Sequence, residues 1–225
     1  MPREKLVVIG AGMAAGRALE HLVATDRFDI TLFNAEPRGS YDRIMLSPVL
    51  AGEKAYADIV THDDAWYADH GIATRFGERV TAIDRAARVV HGAHGSVPYD
   101  KLLIATGSAP VVIPLPGHDL DGVVTYRDVE DTKRMMALPP GARAVVIGGG
   151  LLGLEAAAGM AARGIDVTVV HLMDHLMERQ LDAEAGGLLK ASLEARGITV
   201  LCGAVSEKIE GQGGHVRALT LKDGR

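Results

Sequence analysis

Cysteine is nearly missing: the 225 residues contain one, Cys202. That excludes an internal disulfide framework, a redox dithiol pair, an all-cysteine zinc site and a cysteine-ligated iron–sulfur cluster within the chain. An excess of positive charge is missing too. The 24 Lys and Arg are scattered among 29 Asp and Glu for a net charge of −5, so the clustered cations that grip phosphate backbones are absent and nucleic acid is not an expected partner. No apolar run approaches the roughly 20 residues of a membrane span, and the one after Lys5 is too short for a signal-peptide core. A cytoplasmic protein without a membrane partner is expected. With 48% hydrophobic and 24% charged residues, the composition is that of a globular protein and argues against disorder, collagen-like repeats or a coiled coil. The length accommodates one large or two ordinary domains.

The first informative segment opens with Leu6-Val7-Val8-Ile9, a continuous apolar run of the kind buried on both faces of a parallel sheet. Gly10-Ala11-Gly12-Met13-Ala14-Ala15-Gly16 follows, then a helical spacing of apolar residues from Arg17 to Thr25. A second strand, Asp29 to Phe33, is closed by Asn34-Ala35-Glu36-Pro37. In a strand–glycine turn–helix–strand unit, Gly10 permits the tight turn, Gly12 admits a pyrophosphate to the backbone and the helix N-terminus supplies amide donors. Glu36 is then placed to accept from a ribose hydroxyl. A single glycine triplet leaves another reading open, in which small residues serve only to pack strand against helix.

The pattern recurs. Arg143 to Ile147 reads as a strand, Gly148-Gly149-Gly150-Leu151-Leu152-Gly153 as the turn, Leu154 to Arg163 as a helix and Asp166 to Val170 as the second strand. Such widely separated copies imply two nucleotide-binding units rather than a solenoid repeat. The second copy carries His171 where the ribose carboxylate or a phosphate-binding arginine would stand, so NADH and NADPH are not distinguished. His171 reads equally as a ribose contact or as a plain strand-end residue.

Between the copies, Ile72 to Phe76, Val80 to Ile83 and a hairpin from Arg88 to Tyr99 read as a small antiparallel insertion. Lys101 to Ala105 returns as a buried strand ending in Thr106-Gly107, and Pro110, Pro114 and Pro116 stiffen the stretch that follows. The expected fold is α/β: two Rossmann-like three-layer units with a small antiparallel β insertion. The expected domains are 1–113 and 114–225.

Two such units joined by Ala105-Thr106-Gly107 resemble the two-dinucleotide-binding-domain flavoproteins over essentially the whole chain. More narrowly, Tyr41 to Glu53, including Leu46-Ser47-Pro48, and Val169 to Asp182, including Met177-Glu178-Arg179-Gln180, are similar to the N-terminal part of assimilatory nitrite reductase [NAD(P)H] large subunits. Related ferredoxin and rubredoxin reductases carry a lysine where Pro48 stands.

The resemblance implies FAD on residues 1–113 and NADH or NADPH on 114–225, with hydride passing from nicotinamide to flavin and no separate acid–base constellation. It carries Gly10, Gly12, Ala15, Glu36, Arg43, Val80, Thr106, Gly107 and Arg127 over to FAD. Gly148, Gly150, Leu152, Gly153 and Glu155 go to the nicotinamide dinucleotide, with His171 at its ribose. Arg43 suits a fixed cation beside a diphosphate, or a solvated surface residue. Glu155 suits the carboxamide, or stabilisation of the helix dipole from the first turn. The resemblance also implies that the chain stops inside a hairpin and is truncated, with a weakened flavin site. Iron–sulfur centres and sirohaem would lie in a downstream part, alongside a small subunit or further redox domains as partners. The alternatives are a ferredoxin or rubredoxin reductase and a nucleotide-binding fragment without turnover.

Overall fold

The computed structural model describes residues 2–225, in which the chain forms two compact units. The first comprises the chain up to Arg43 together with Tyr56–Ser108; the second comprises Ile44–Ala55 together with Ala109–Arg225. The expected boundary at residue 113 therefore differs in two respects: the change of unit falls at Ser108, and a segment from the first half of the sequence belongs with the second unit.

The first unit begins with β1 (Glu4–Ile9), α1 (Met13–Val23) and β2 (Phe28–Asn34). The chain then contributes α2 (Leu46–Ala51) to the second unit and returns with α3 (Asp64–Asp69), β3 (Ala73–Phe76), β4 (Val80–Asp84), β5 (Val89–Gly92), β6 (Gly95–Pro98) and β7 (Lys101–Ile104). A parallel sheet runs in the order β3-β2-β1-β7, and β4-β5-β6 form a separate antiparallel sheet.

The alternating side chains of β1 explain the three layers. Leu6 and Val8 join Ala15 and Leu19 of α1 and Tyr67 of α3 in one core. Val7 and Ile9 join Phe33 and Val90 in another, beneath the antiparallel sheet. All four side chains from Leu6 to Ile9 are buried, at about 1.5–3 kcal/mol for a fully buried aliphatic side chain. A stretch buried on both faces must be apolar, as Leu6–Ile9 is, while Glu4 and Lys5 at the start of the strand reach solvent.

Ala73–Phe76 corrects an expectation, because it pairs parallel with β2, Thr31 opposite Ala73, instead of joining the antiparallel insertion. Gly77, at φ 75°, turns the chain out of the sheet and donates to the Glu36 carbonyl. The buried Glu78 carboxylate then accepts from the His94 backbone N–H at 2.9 Å and from Arg75 at 3.4 Å, tying the β5–β6 turn to β3. The His94 amide, then Arg75, hold its carboxyl below the usual range.

The second unit adds α4 (Val129–Met136), β8 (Arg143–Ile147), α5 (Leu151–Ala162), β9 (Asp166–Val170), α6 (Ala183–Glu194), β10 (Thr199–Leu201), β11 (Ser206–Gln212) and β12 (His215–Leu221). Its parallel sheet runs β10-β9-β8. Val167, Val169 and Val200 pack with Ala157 and Met160 of α5 and Leu193 of α6. α2 lies against α5 because Gly159 has no side chain: a Cβ there would stand 2.8 Å from Leu50 Cγ. On the other face, Val170 meets Ala204 and Leu221 of the terminal hairpin. In it β11 and β12 pair antiparallel from Gln212 opposite His215 to Ser206 opposite Leu221. Among the described residues, no helix is long and apolar enough to cross a membrane.

Candidate functional site

The first glycine turn is built by its neighbours. Gly10 has φ +100°, and its N–H donates to the Phe33 carbonyl at 2.7 Å. A Cβ on Gly10 would overlap the Ala105 carbonyl and reach Thr106 Cα, so the backbone leading into Thr106 and Gly107 runs directly over this glycine. Gly107 is itself left-handed at φ 70°. Gly12 is different: it caps α1 with φ −73° and ψ 177°, and nothing lies within 4 Å of where its Cβ would be. Ala15 is fully buried against the sheet. It packs the helix and is not exposed toward a ligand.

At the end of β2, the Glu36 carboxylate accepts from the Tyr41 hydroxyl at 2.9 Å and pairs with Arg43. Arg43 is three-quarters buried and lies 4.9 Å over the Tyr41 ring, which removes the reading of a solvated surface arginine. Val80 opens β4 opposite Gly92 and is half-buried. Arg127 falls in the second unit, its backbone N–H held by Asp131 at 2.8 Å.

The second turn repeats the geometry. The Gly148 N–H donates to the Val170 carbonyl at 2.9 Å, as Gly10 does to Phe33, and φ at Gly148 is +121°. Gly150 caps α5 with φ −86° and ψ 176° and, like Gly148, has nothing within 4 Å of its Cβ position. A Cβ on Gly153 would overlap the Gly148 carbonyl, so the third glycine is required for close packing. Leu152 is half-exposed in the first turn of α5.

Two expectations change here. Glu155 lies beyond the first helical turn, too far along to act on the dipole; its carboxylate accepts from the Ser47 hydroxyl at 2.7 Å, and that hydroxyl is 3.1 Å from Tyr126. Burial pushes the Tyr126 phenol up. His171 is buried, and its Nδ1 accepts from the Gly149 N–H at 3.0 Å. It therefore braces the glycine turn from within instead of facing a ribose.

The caps show what these two helices can bind. α3, α4 and α6 each begin with an aspartate, Asp63, Asp128 or Asp182, whose carboxylate accepts from the first turn. α1 and α5 begin with glycines and no side-chain acceptor. Their free amides and positive dipole ends favour an anion, with open glycine faces to admit it. Tyr41 on Glu36, Ser47 on Glu155, Glu178 on His171, and Tyr126 on the Ser47 hydroxyl were not singled out as site residues from the sequence.

Fold and turns together define a protein with two dinucleotide-type strand–glycine–helix units. The family model for pyridine nucleotide-disulphide oxidoreductases matches residues 4–225, and the chain belongs to that family. It is 46% identical, over its full length, to nitrite reductase [NAD(P)H] of Bacillus subtilis (strain 168), covering 28% of that protein. It is 42% identical over 89% of its length to the assimilatory nitrate reductase electron transfer subunit of the same organism, covering 27% of it. The putidaredoxin reductase–putidaredoxin complex superposes on the whole chain with TM-score 0.92 at 25% identity, 56% of that chain being covered. The chain thus spans about a quarter of the length of the two curated relatives.

Proposed function

We propose that the first unit holds FAD, the second holds NADH or NADPH, and the chain forms the electron-entry part of an NAD(P)H-dependent nitrite reductase. The observation that carries this reading is the pair of glycine turns, each with an uncapped helix and an open glycine face.

The residues fit the cofactor. The space beside Gly12 accommodates a diphosphate where a side chain would exclude it. Glu36 keeps acceptor capacity for ribose hydroxyls even with Tyr41 and Arg43 in place, since a carboxylate offers about four lone-pair sites. Arg43 adds a fixed cation at the end of β2. Bound flavin supplies a ring that accepts a hydride from a nicotinamide. In the second unit, Gly148 and Gly150 leave room for the nicotinamide dinucleotide's diphosphate, and Ser47 fixes the Glu155 carboxylate for a polar contact such as a carboxamide. Cofactor and partner roles beyond this chain, the iron–sulfur and sirohaem centres and a small subunit, belong to the same proposal.

The test is anaerobic stopped-flow mixing of the FAD-loaded protein with NADH and with NADPH. Bleaching of the flavin absorbance is expected with at least one nucleotide. Stoichiometric FAD that neither nucleotide reduces would overturn the reading in favour of binding without turnover.

A further inference from the structure

The loop after β9 folds back onto the second glycine turn. The Met177 N–H donates to the Gly149 carbonyl at 3.0 Å, with Met177 left-handed at φ 56°. The His171 ring fills the space beneath, where a Cβ on Gly149 would stand 2.7 Å from its Cγ. Because Nδ1 accepts from the Gly149 N–H, it carries no proton; Nε2 does, and donates to Glu178 Oε2 at 3.1 Å. The Glu178 side chain is 26% exposed. Its other oxygen has no hydrogen-bond partner among the described residues.

In a dinucleotide-binding unit, the adenosine ribose lies beside the glycine turn at the end of the second strand, where a carboxylate accepts from the 2′-hydroxyl. His171 occupies that strand end but turns inward. We infer that Glu178, brought back by the loop and oriented by His171, is the specificity-determining residue of the second unit and makes it select NADH over NADPH. This rests on the dinucleotide role proposed above for that unit.

The free carboxylate oxygen accepts from a ribose 2′-hydroxyl, whereas a 2′-phosphate would place like charge against it. Asp174, exposed in the same loop, is paired with the His175 imidazole. Arg179 is the competing cation, exposed and next in sequence. It is not held against the glycine turn by any hydrogen bond, whereas Glu178 is held through His171.

The experiment measures equilibrium dissociation constants for NADH and NADPH, by quenching of protein fluorescence, for the wild type, Glu178→Gln and Arg179→Ala, with thermal melting to verify folding. Gln keeps an acceptor for the His171 N–H and removes the charge. The wild type is expected to bind NADH at least about tenfold more tightly, the scale of one hydrogen bond to a charged group. Glu178→Gln should narrow that ratio by about tenfold, while Arg179→Ala leaves it unchanged. A wild type that prefers NADPH, a ratio indifferent to Glu178→Gln, or a ratio that moves only with Arg179→Ala would overturn the inference while leaving dinucleotide binding intact. If neither nucleotide binds, the proposed role of the second unit fails with it.

Discussion

Gly12→Ala separates the demands of folding from those of binding. At φ −73° the backbone suits any residue, and no atom lies within 4 Å of the new methyl. The only folding cost is the poorer N-cap, about 1 kcal/mol or less, or up to about 4 °C in melting temperature for a protein of this size. For a diphosphate the same methyl stands in the way. Losing one hydrogen bond to a charged group costs about 1.5–3 kcal/mol, so the FAD dissociation constant should rise roughly 10- to 150-fold. Gly10→Ala should behave in the opposite way. A side chain at φ +100° costs roughly 1–2 kcal/mol, and its overlap with the Ala105 carbonyl would push β7 from β1, adding about 1–3 kcal/mol. The assay is FAD titration by flavin fluorescence, with thermal unfolding of the unliganded variants. Gly12→Ala that binds FAD within twofold of the wild type would refute the reasoning.

Gly187→Ala, in the exposed face of α6 with nothing within 4 Å of its Cβ position, should raise stability by about 0.5–1 kcal/mol; chemical denaturation reads this directly. Leu50→Ala should cost about 2–5 kcal/mol, since Leu50 is fully buried against Gly159 of α5; a denaturation midpoint unchanged from wild type would contradict the packing of α2. Glu78 has a lowered carboxyl pKa in the fold, so its contribution is present above the ordinary carboxylate value and disappears as pH falls through the folded value. Glu78→Gln should therefore destabilise the protein at pH 7 and converge with wild type in acid, as followed by unfolding across pH 7 to 3.

Both glycine turns and their flanking strands were legible in the sequence because they are local: a continuous apolar run, small residues at fixed offsets and a change of period. What escaped depends on distant chain. α1 begins at Met13, not Arg17, since the small residues Ala14 to Gly16 carry little amphipathic signal. Ala73–Phe76 alternates too weakly to show that it joins the parallel sheet at Thr31. The need for glycine at position 10 comes from Ala105, delivered by β7. At position 171 the residue type was readable but its direction was not. Only the folded loop shows the ring beneath Gly149 and the carboxylate of Glu178 beyond it.

The most direct measurement is a count of adenine dinucleotides bound per chain, by calorimetric titration of FAD and then of NADH into the FAD-loaded protein. Two sites are predicted, the FAD site weakened by Gly12→Ala alone and the NADH site by Gly150→Ala alone. A single site, or two sites indifferent to both substitutions, would contradict the assignment of one dinucleotide to each glycine turn.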